Sequence, residues 1–310
     1  SREITKQEQS ILDMLTSFNF LLRSKGESIE QLRSEVSSRD SETICGIVIP
    51  FIDRYKEMCR EKDSIDFTDA IIEATALCNG GHRPDYDYIL VDEFQDISLD
   101  RYHFLQSLRR TNPLTKLFCV GDDWQSIYRF AGSDISLFKQ FSKYFGFTKE
   151  CRMETTYRFG NPCVECSSRF ILTNREQKEK AVRPFSPNIR TDLQFFSVSG
   201  PGGMARRVKE ILAVLPQDSS VYFLGRYGSD VNSLDGDFTI HSGVDGKIAV
   251  SYEGRKMAFM TVHQSKGLES DYVILLNCNG GTRGFPSEIA DSPVLNYVLS
   301  EPDSFEFSEE

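Results

Sequence analysis

No apolar run in the 310 residues approaches the roughly eighteen that a membrane-spanning helix needs, and Ser1-Arg2-Glu3-Ile4 has neither a signal-peptide layout nor a starting Met. These absences predict a cytosolic protein cut from a longer one. The chain is equally short of the dense cysteine framework of small secreted domains: its eight cysteines are scattered, most beside apolar neighbours, as in Leu117-Phe118-Cys119-Val120. That pattern predicts reduced, buried thiols. Cys163-Val164-Glu165-Cys166 has no second pair or histidine cluster near it, so it reads as a helical turn before it reads as a zinc site. His82, His103 and His241 show no spacing for metal or triad chemistry and are assigned packing or surface roles. An excess of positive charge is missing too. A formal net charge of −10 argues against a nonspecific electrostatic clamp on nucleic acid, while leaving room for a local DNA groove. The last and most consequential absence is any G-x-x-x-x-G-K-[ST] phosphate loop; Gly246-Lys247 is followed by Ile248 and has the wrong spacing before it.

What is present is an ordinary soluble composition with room for two cores. Ile4, Ile11, Leu12, Leu15, Phe18, Leu21 and Leu22 fall near helical spacing. Ser28 with Gln31 forms a capping box for a second helix, and Ile47–Cys59 and Phe67–Cys78 read as two more, the last stopped by Gly80-Gly81. The pattern then changes. Tyr88–Val91 and Lys116–Val120 are short apolar runs flanking a helix from Leu99 to Arg110, which is one strand-helix-strand unit of a parallel sheet. Past a boundary near Phe145-Gly146 the alternation resumes: strand Leu193–Val198, helix Ala205–Leu215 and strand Val221–Leu224. Lys247–Tyr252 and Lys256–Val262, split by Glu253-Gly254, are placed to pair as a hairpin, and Tyr272–Asn277 is a last buried strand. The acidic end, Glu301 to Glu310, reads as a solvated linker.

The chemistry concentrates where the first strand runs out. Asp92 and Glu93 follow Val91 at the C-terminal end of a parallel strand, the place where open α/β sheets bind ligands. Successive strand side chains point to opposite sides, so one carboxylate can hold Mg²⁺, directly or through water, while the other orients or deprotonates an attacking water. A bare Asp-Glu pair would be a solvated strand end. This one continues as Phe94-Gln95-Asp96, and about 25 residues later a second strand ends in Gly121-Asp122-Asp123-Trp124-Gln125-Ser126-Ile127-Tyr128-Arg129-Phe130.

With these residues in view, VDEFQD and VGDDWQSIYRF resemble motifs II and III of the UvrD/Rep-type DNA helicases of superfamily 1, and the wording is most similar to the helicase IV branch. Thr155-Thr156-Tyr157-Arg158-Phe159 is similar to motif IV, Thr261-Val262-His263-Gln264-Ser265-Lys266-Gly267-Leu268-Glu269 to motif V, and Ile65-Asp66-Phe67-Thr68-Asp69-Ala70 to the short segment preceding motif II. The resemblance runs from about residue 65 onward, with the first 64 residues fitting a helical insertion more loosely. It implies an α/β fold of two RecA-like parallel-sheet domains: a helical insertion at 1–82, the remainder of the first domain at 83–146, and a second domain at 147–310. It also implies ATP and Mg²⁺ as cofactors, single-stranded and duplex DNA as partners, repair or recombination proteins as associates, and movement 3′ to 5′.

Residue by residue, the family implies that Asp92 binds Mg²⁺, Glu93 activates water, and Gln125 senses the γ-phosphate, a side-chain amide being both donor and acceptor. Arg158 is implied as an arginine finger, Tyr157 as an adenine-stacking ring, and Gly267 and Glu269 as nucleotide contacts. Tyr128, Phe130, His263 and Lys266 stand where relatives touch single-stranded DNA; stacking on an aromatic face contributes roughly 1–3 kcal/mol per base whatever its identity. Phe130 stands where many relatives have Trp, and Ala131 where they have Arg. The arginine-bearing motif VI is absent, as is the phosphate loop, and truncation explains both. About one hundred residues between Tyr157 and Thr261 leave room for one α/β core without a large insertion. Two other readings stay open: a non-catalytic DNA-binding or protein-interaction module on the same fold, and a helicase-nuclease fusion of the RecB kind.

Overall fold

The structure, a computed structural model, describes residues 5–36, 40, 43–82, 84–175, 177–186, 192–234, 236–243, 246–282, 284–285 and 294–299. Ile4 and the acidic stretch 301–310 lie outside the described residues. Contacts divide the chain into two compact units, one of residues 1–191 with 291–310, the other of 192–290.

In the first unit, helix α1 (Lys6–Ser24) opens on a reciprocal cap, Thr5 Oγ1 taking the Glu8 N–H and the Glu8 carboxylate taking the Thr5 N–H. Helix α2 (Ile29–Glu35) opens on the Ser28–Gln31 box read from the sequence. The helix expected from Ile47 begins instead as a π-turn, Ile44–Val48, before α3 (Ile49–Glu61). Pro50 has no N–H for the carbonyl of Gly46, and there the wider i→i+5 pattern replaces the α ladder. Helix α4 (Phe67–Asn79) ends at Gly80, with Gly81 at φ +105°. Leu15, Phe18, Leu21, Leu22, Ile44 and Ile52 form the core of this helical layer, and Val298 and Leu299 pack into it.

Strand β1 (Tyr88–Val91), helix α5 (Leu99–Thr111) and strand β2 (Lys116–Cys119) make the predicted unit, with β1 and β2 parallel and Val91 opposite Cys119. One face of this pair, Ile89, Val91, Leu117 and Cys119, packs on Phe94, Ile97, Leu105, Leu137 and Phe145. The other is bare: Tyr88, Leu90 and Phe118 are 61, 73 and 60 % exposed. Helices α6 (Ser136–Lys139) and α7 (Phe141–Phe145) close the covered side. Beyond them, β3 (Thr155–Thr156) and β4 (Arg183–Pro184) pair in parallel around α8 (Asn161–Ile171), which carries Cys163 and Cys166. The sequence places the domain boundary at 146/147. The compact units part at 191/192, and residue 178 hydrogen-bonds to the loop after β2.

The second unit is a five-stranded sheet behind helix α9 (Gly203–Val214): β5 (Val221–Gly225), β6 (Thr239–Ser242), β7 (Ile248–Tyr252), β8 (Arg255–Thr261) and β9 (Tyr272–Leu275), in the order β6-β7-β8-β5-β9. β5 runs parallel to β8 and β9, whereas β6, β7 and β8 run antiparallel. Val208, Leu212, Phe223, Leu234, Val250 and Phe259 fill its core. The hairpin at Glu253-Gly254 forms as expected; both residues have positive φ (45° and 77°), matching the twist of the strands they join. Leu193–Val198 is not a strand: it has no ladder partner among the described residues, and Leu193 and Phe195 are 50 and 90 % exposed. Alternating apolar residues need a neighbour in register before they become sheet.

All eight cysteines are free, but the expected burial holds only in part: Cys78 is buried, whereas Cys45, Cys151, Cys166 and Cys278 are exposed. Cys151 and Cys278 sit in connections that no core covers. Among the described residues no helix is long and apolar enough to cross a membrane.

Candidate functional site

The site grows from the ends of β1 and β2. The ladder carries one step past the strands, Val120 N–H giving to the Val91 carbonyl (2.9 Å) and Phe94 N–H to the Val120 carbonyl (2.8 Å). Between them the chain turns sharply at Glu93, whose φ of 50° and ψ of 41° lie in the left-handed region. A non-glycine residue there costs of order 1–3 kcal/mol and persists only where its surroundings impose it. Here the Asp92 carboxylate takes the Glu93 N–H at 2.9 Å, and Phe94, 1 % exposed, anchors the far side of the turn among Phe138, Phe141 and Phe145.

Gln95 is the hub. Fully buried, it donates from Nε2 to Glu93 Oε2 (2.6 Å) and accepts on Oε1 the N–H of Asp122 (2.9 Å). Gly121 makes room for that amide, since a Cβ there would sit 2.6 Å from Gln95 Oε1 and 2.8 Å from the Phe138 ring. Asp122 in turn accepts from Gln125 Nε2 (2.7 Å) and from the Trp124 N–H (3.1 Å), and pairs with Lys180. Burial pushes the Asp122 carboxyl up, but hydrogen bonds from Lys180 and Gln125 and the charge of Lys180 outweigh it, holding the group below the usual carboxylate range. Glu93 and Gln125, far apart in sequence, are thus joined by one continuous run of hydrogen bonds.

Asp92 and Glu93 open onto a cavity of 560 Å³, lined also by Phe20, Ile71, Arg101 and Tyr128. Tyr128 meets Phe130 edge to face at 6.0 Å, and Phe130 is 56 % exposed. Tyr157, 69 % exposed, lies at the end of β3 with its ring 4.6 Å from that of Phe185. The exposed Arg158 follows; its N–H gives to Thr156 Oγ1 (3.3 Å) and its guanidinium lies 5.9 Å from the Phe159 ring.

In the second unit the remaining predicted residues share the loop after β8. His263 Nδ1 is 3.3 Å from Arg226 Nη1, and burial, then the Arg226 charge, hold the ring's pKa below the ordinary imidazole value. Lys266 is half-buried and Glu269 exposed. Gly267 has φ +79°, and a Cβ placed there would meet nothing within 4 Å, so its backbone conformation, not crowding, is what calls for glycine.

Sequence reading missed three members of the network. Gln95 and Asp122 stand inside the two stretches that it singled out, but a role for them needs the turn geometry. Lys180 had no local signal: its partners lie some sixty residues away, and only the fold brings them together.

Known proteins share this geometry's sequence framework. Residues 3–146 match the UvrD/REP helicase N-terminal domain family. The chain is 30% identical over 311 residues to DNA helicase IV of Escherichia coli (strain K12), an alignment covering 98% of this chain and 43% of that protein. It is 31% identical over 152 residues to the putative ATP-dependent DNA helicase YjcD of Bacillus subtilis (strain 168), covering 46% of this chain and 20% of that protein. With ATP-dependent DNA helicase UvrD1 of Mycobacterium tuberculosis (strain ATCC 25618 / H37Rv) it shares 29% over 154 residues, again 46% of this chain and 20% of the relative. The chain spans less than half the length of each of these relatives.

Proposed function

The chain is a relative of the UvrD/Rep-type DNA helicases, and from that kinship we propose that it is the central part of an ATP-driven motor that translocates on single-stranded DNA, 3′ to 5′, and parts duplexes. The carrying observation is the hydrogen-bonded run Glu93–Gln95–Asp122–Gln125, which fixes a water-activating carboxylate and a phosphate-sensing amide relative to each other at the ends of two parallel strands. Two RecA-like domains would then hold the β1–β2 pair in the first and the mixed five-stranded sheet in the second, with 1–82 as the helical insertion of the first and 147 onward contributing to the second.

Asp92 suits Mg²⁺, a hard cation that takes oxygen ligands and keeps several waters. Asp92 lines the 560 Å³ cavity with Glu93 and Asp96, and among the described residues no group of three acidic, His or Cys side chains is placed to enclose a metal ion. Asp92 would therefore hold the ion together with water and nucleotide phosphates, and the ion would supply charge neutralisation there. Glu93 holds the attacking water and accepts its proton. Arg158 provides a planar cation for charge developing on phosphate oxygens, Tyr157 a face for adenine, and Gly267 with Glu269 further nucleotide contacts. Tyr128 and Phe130, with His263 and Lys266, contact the DNA strand by stacking and by phosphate pairing, which suits a motor indifferent to sequence. Its place is the cytoplasm, with DNA repair as the setting.

In the full-length protein, Glu93→Gln is expected to keep nucleotide affinity near wild type and to abolish DNA-stimulated hydrolysis. Turnover at the wild-type rate would remove Glu93 from the role of base.

A further inference from the structure

The loop that carries Gln125 is closed over by a segment with no assigned part in the chemistry. Lys178 accepts the Trp124 indole N–H on its carbonyl (3.0 Å) and gives its own N–H to Asp123 Oδ2 (3.2 Å). Two residues on, the Lys180 ammonium pairs with both Asp122 and Asp123 and lies 5.0 Å from the centre of the Trp124 ring. The Asp123 side chain is wholly buried and that of Lys180 is only 23 % exposed. The Asp123 carboxylate, taken out of water, needs a cation, because an uncompensated buried charge costs several kcal/mol, and its neighbour Asp122, 38 % exposed, adds a second negative charge beside it. Lys180 meets both.

The pairing reaches further than charge balance. Lys180 takes one oxygen of Asp122, Oδ1, and leaves the other, Oδ2, to hold the Gln125 amide. The backbone N–H of the same Asp122 holds Gln95, which holds Glu93. A carboxylate fixed at one oxygen and at its backbone cannot rotate, so its remaining oxygen presents a single direction to Gln125.

We propose that Lys180 is a positioning residue: it clamps the segment after α8 onto the loop after β2 and, through Asp122, sets the orientation of Gln125 and Glu93. Its consequence for hydrolysis rests on the helicase reading; the clamp itself does not. A cation beneath the sensing glutamine also supplies a route by which movement of 178–180 reaches the hydrolytic carboxylate.

Trp124 is the sole tryptophan of the 310 residues, so its emission reads the clamp directly. In this chain Lys180→Met is expected to shift the emission to the red and to open Trp124 to acrylamide, whereas Lys180→Arg leaves both near wild type. Unchanged emission and quenching in Lys180→Met would overturn the clamp, whatever the protein does with ATP. Because Lys180→Met strands a buried carboxylate, the pair Lys180→Met/Asp123→Asn serves as the folded control, with wild-type circular dichroism and the same red shift. In the full-length protein, kcat for DNA-stimulated hydrolysis should fall about ten- to a hundredfold in both, with KM for ATP within about twofold, and Lys180→Arg should recover most of it. Normal kcat in a variant with exposed Trp124 would refute the positioning role. A wild-type protein without any DNA-stimulated hydrolysis would instead sink the helicase reading and the catalytic half of this proposal, while fluorescence still decides the clamp.

Discussion

Glu93 shows how much a single position can carry. Its side chain reaches Gln95, its backbone occupies a conformation that favours glycine, and the turn it makes is what points Asp92 and Glu93 into one cavity. Gly121 is its counterpart across the two strands, because the buried Gln95 amide occupies the space that any side chain would need. Gly121→Ala must therefore push Gln95 off Asp122 or shift the Phe138 ring. The expected cost is about 1–3 kcal/mol, measured by urea unfolding of the 310-residue chain, together with reduced hydrolysis in the full-length protein. Unchanged stability would mean that the Gln95 amide is free to move, and the rigid link from Glu93 to Asp122 would fail with it. Phe130 asks the complementary question. It is exposed beside Tyr128, so Phe130→Ala should spare stability within about 0.5 kcal/mol while weakening the stimulation of hydrolysis by single-stranded DNA; undiminished stimulation would take that ring out of the DNA path.

Among the elements, those with local signals were legible: the Ser28–Gln31 cap, the stop at Gly80-Gly81, the strands around α5, and the Glu253-Gly254 hairpin are each written in neighbouring residues. Elements that depend on distant partners were not. Thr239–Ser242 becomes a strand only because β7 lies beside it, and Leu193–Val198, with the stronger pattern, does not because no described strand does. The site divides in the same way. Asp92 and Glu93 were readable as residue types at a strand end and Gln125 only through the family resemblance, whereas Gln95 and Lys180 acquire meaning only from hydrogen bonds across the fold. Helix α4 illustrates both halves. Asp66 was singled out in sequence, and the structure makes it the N-cap of α4, taking the Asp69 N–H at 2.8 Å, both guanidinium arms of Arg23 at 2.7 and 2.9 Å, and the Tyr55 hydroxyl at 2.6 Å. Asp66→Ala removes a cap and uncouples α1 and α3 from α4. A loss of about 2–4 kcal/mol is expected by urea unfolding, and less than about 1 kcal/mol would show that Asp69 alone suffices for Arg23.

For the molecule as a whole, the same carboxylates are expected to contribute to the response to acid. Burial would raise the Asp66 carboxyl, but the hydrogen bonds from Arg23, Tyr55 and the Asp69 N–H hold it well below the carboxylate range, and Asp122 is lowered in the same sense by Lys180 and Gln125. A carboxylate with a depressed folded pKa contributes stability that is complete above its unfolded value of about 3.9 and is lost as pH falls through the folded value. The urea midpoint of the chain should accordingly be flat between about pH 5 and 8 and fall steadily below about pH 4, and Asp66→Asn should flatten that fall. An acid limb equally steep in Asp66→Asn would locate the proton uptake elsewhere. Because the 310 residues contain no phosphate loop, they are also expected to bind ATP weakly and to hydrolyse it negligibly; robust DNA-stimulated turnover by this chain would refute that.

The bare side of the β1–β2 pair bears on how the chain behaves in a tube. Tyr88, Leu90 and Phe118 form an exposed apolar face on a two-stranded sheet, a feature that favours self-association, and a net charge of −10 opposes it. Added salt shortens the reach of that repulsion from about 10 Å at 0.1 M to about 3 Å at 1 M while leaving the apolar attraction intact. Concentrated samples should therefore be clearest in dilute buffer and turn cloudy as salt rises.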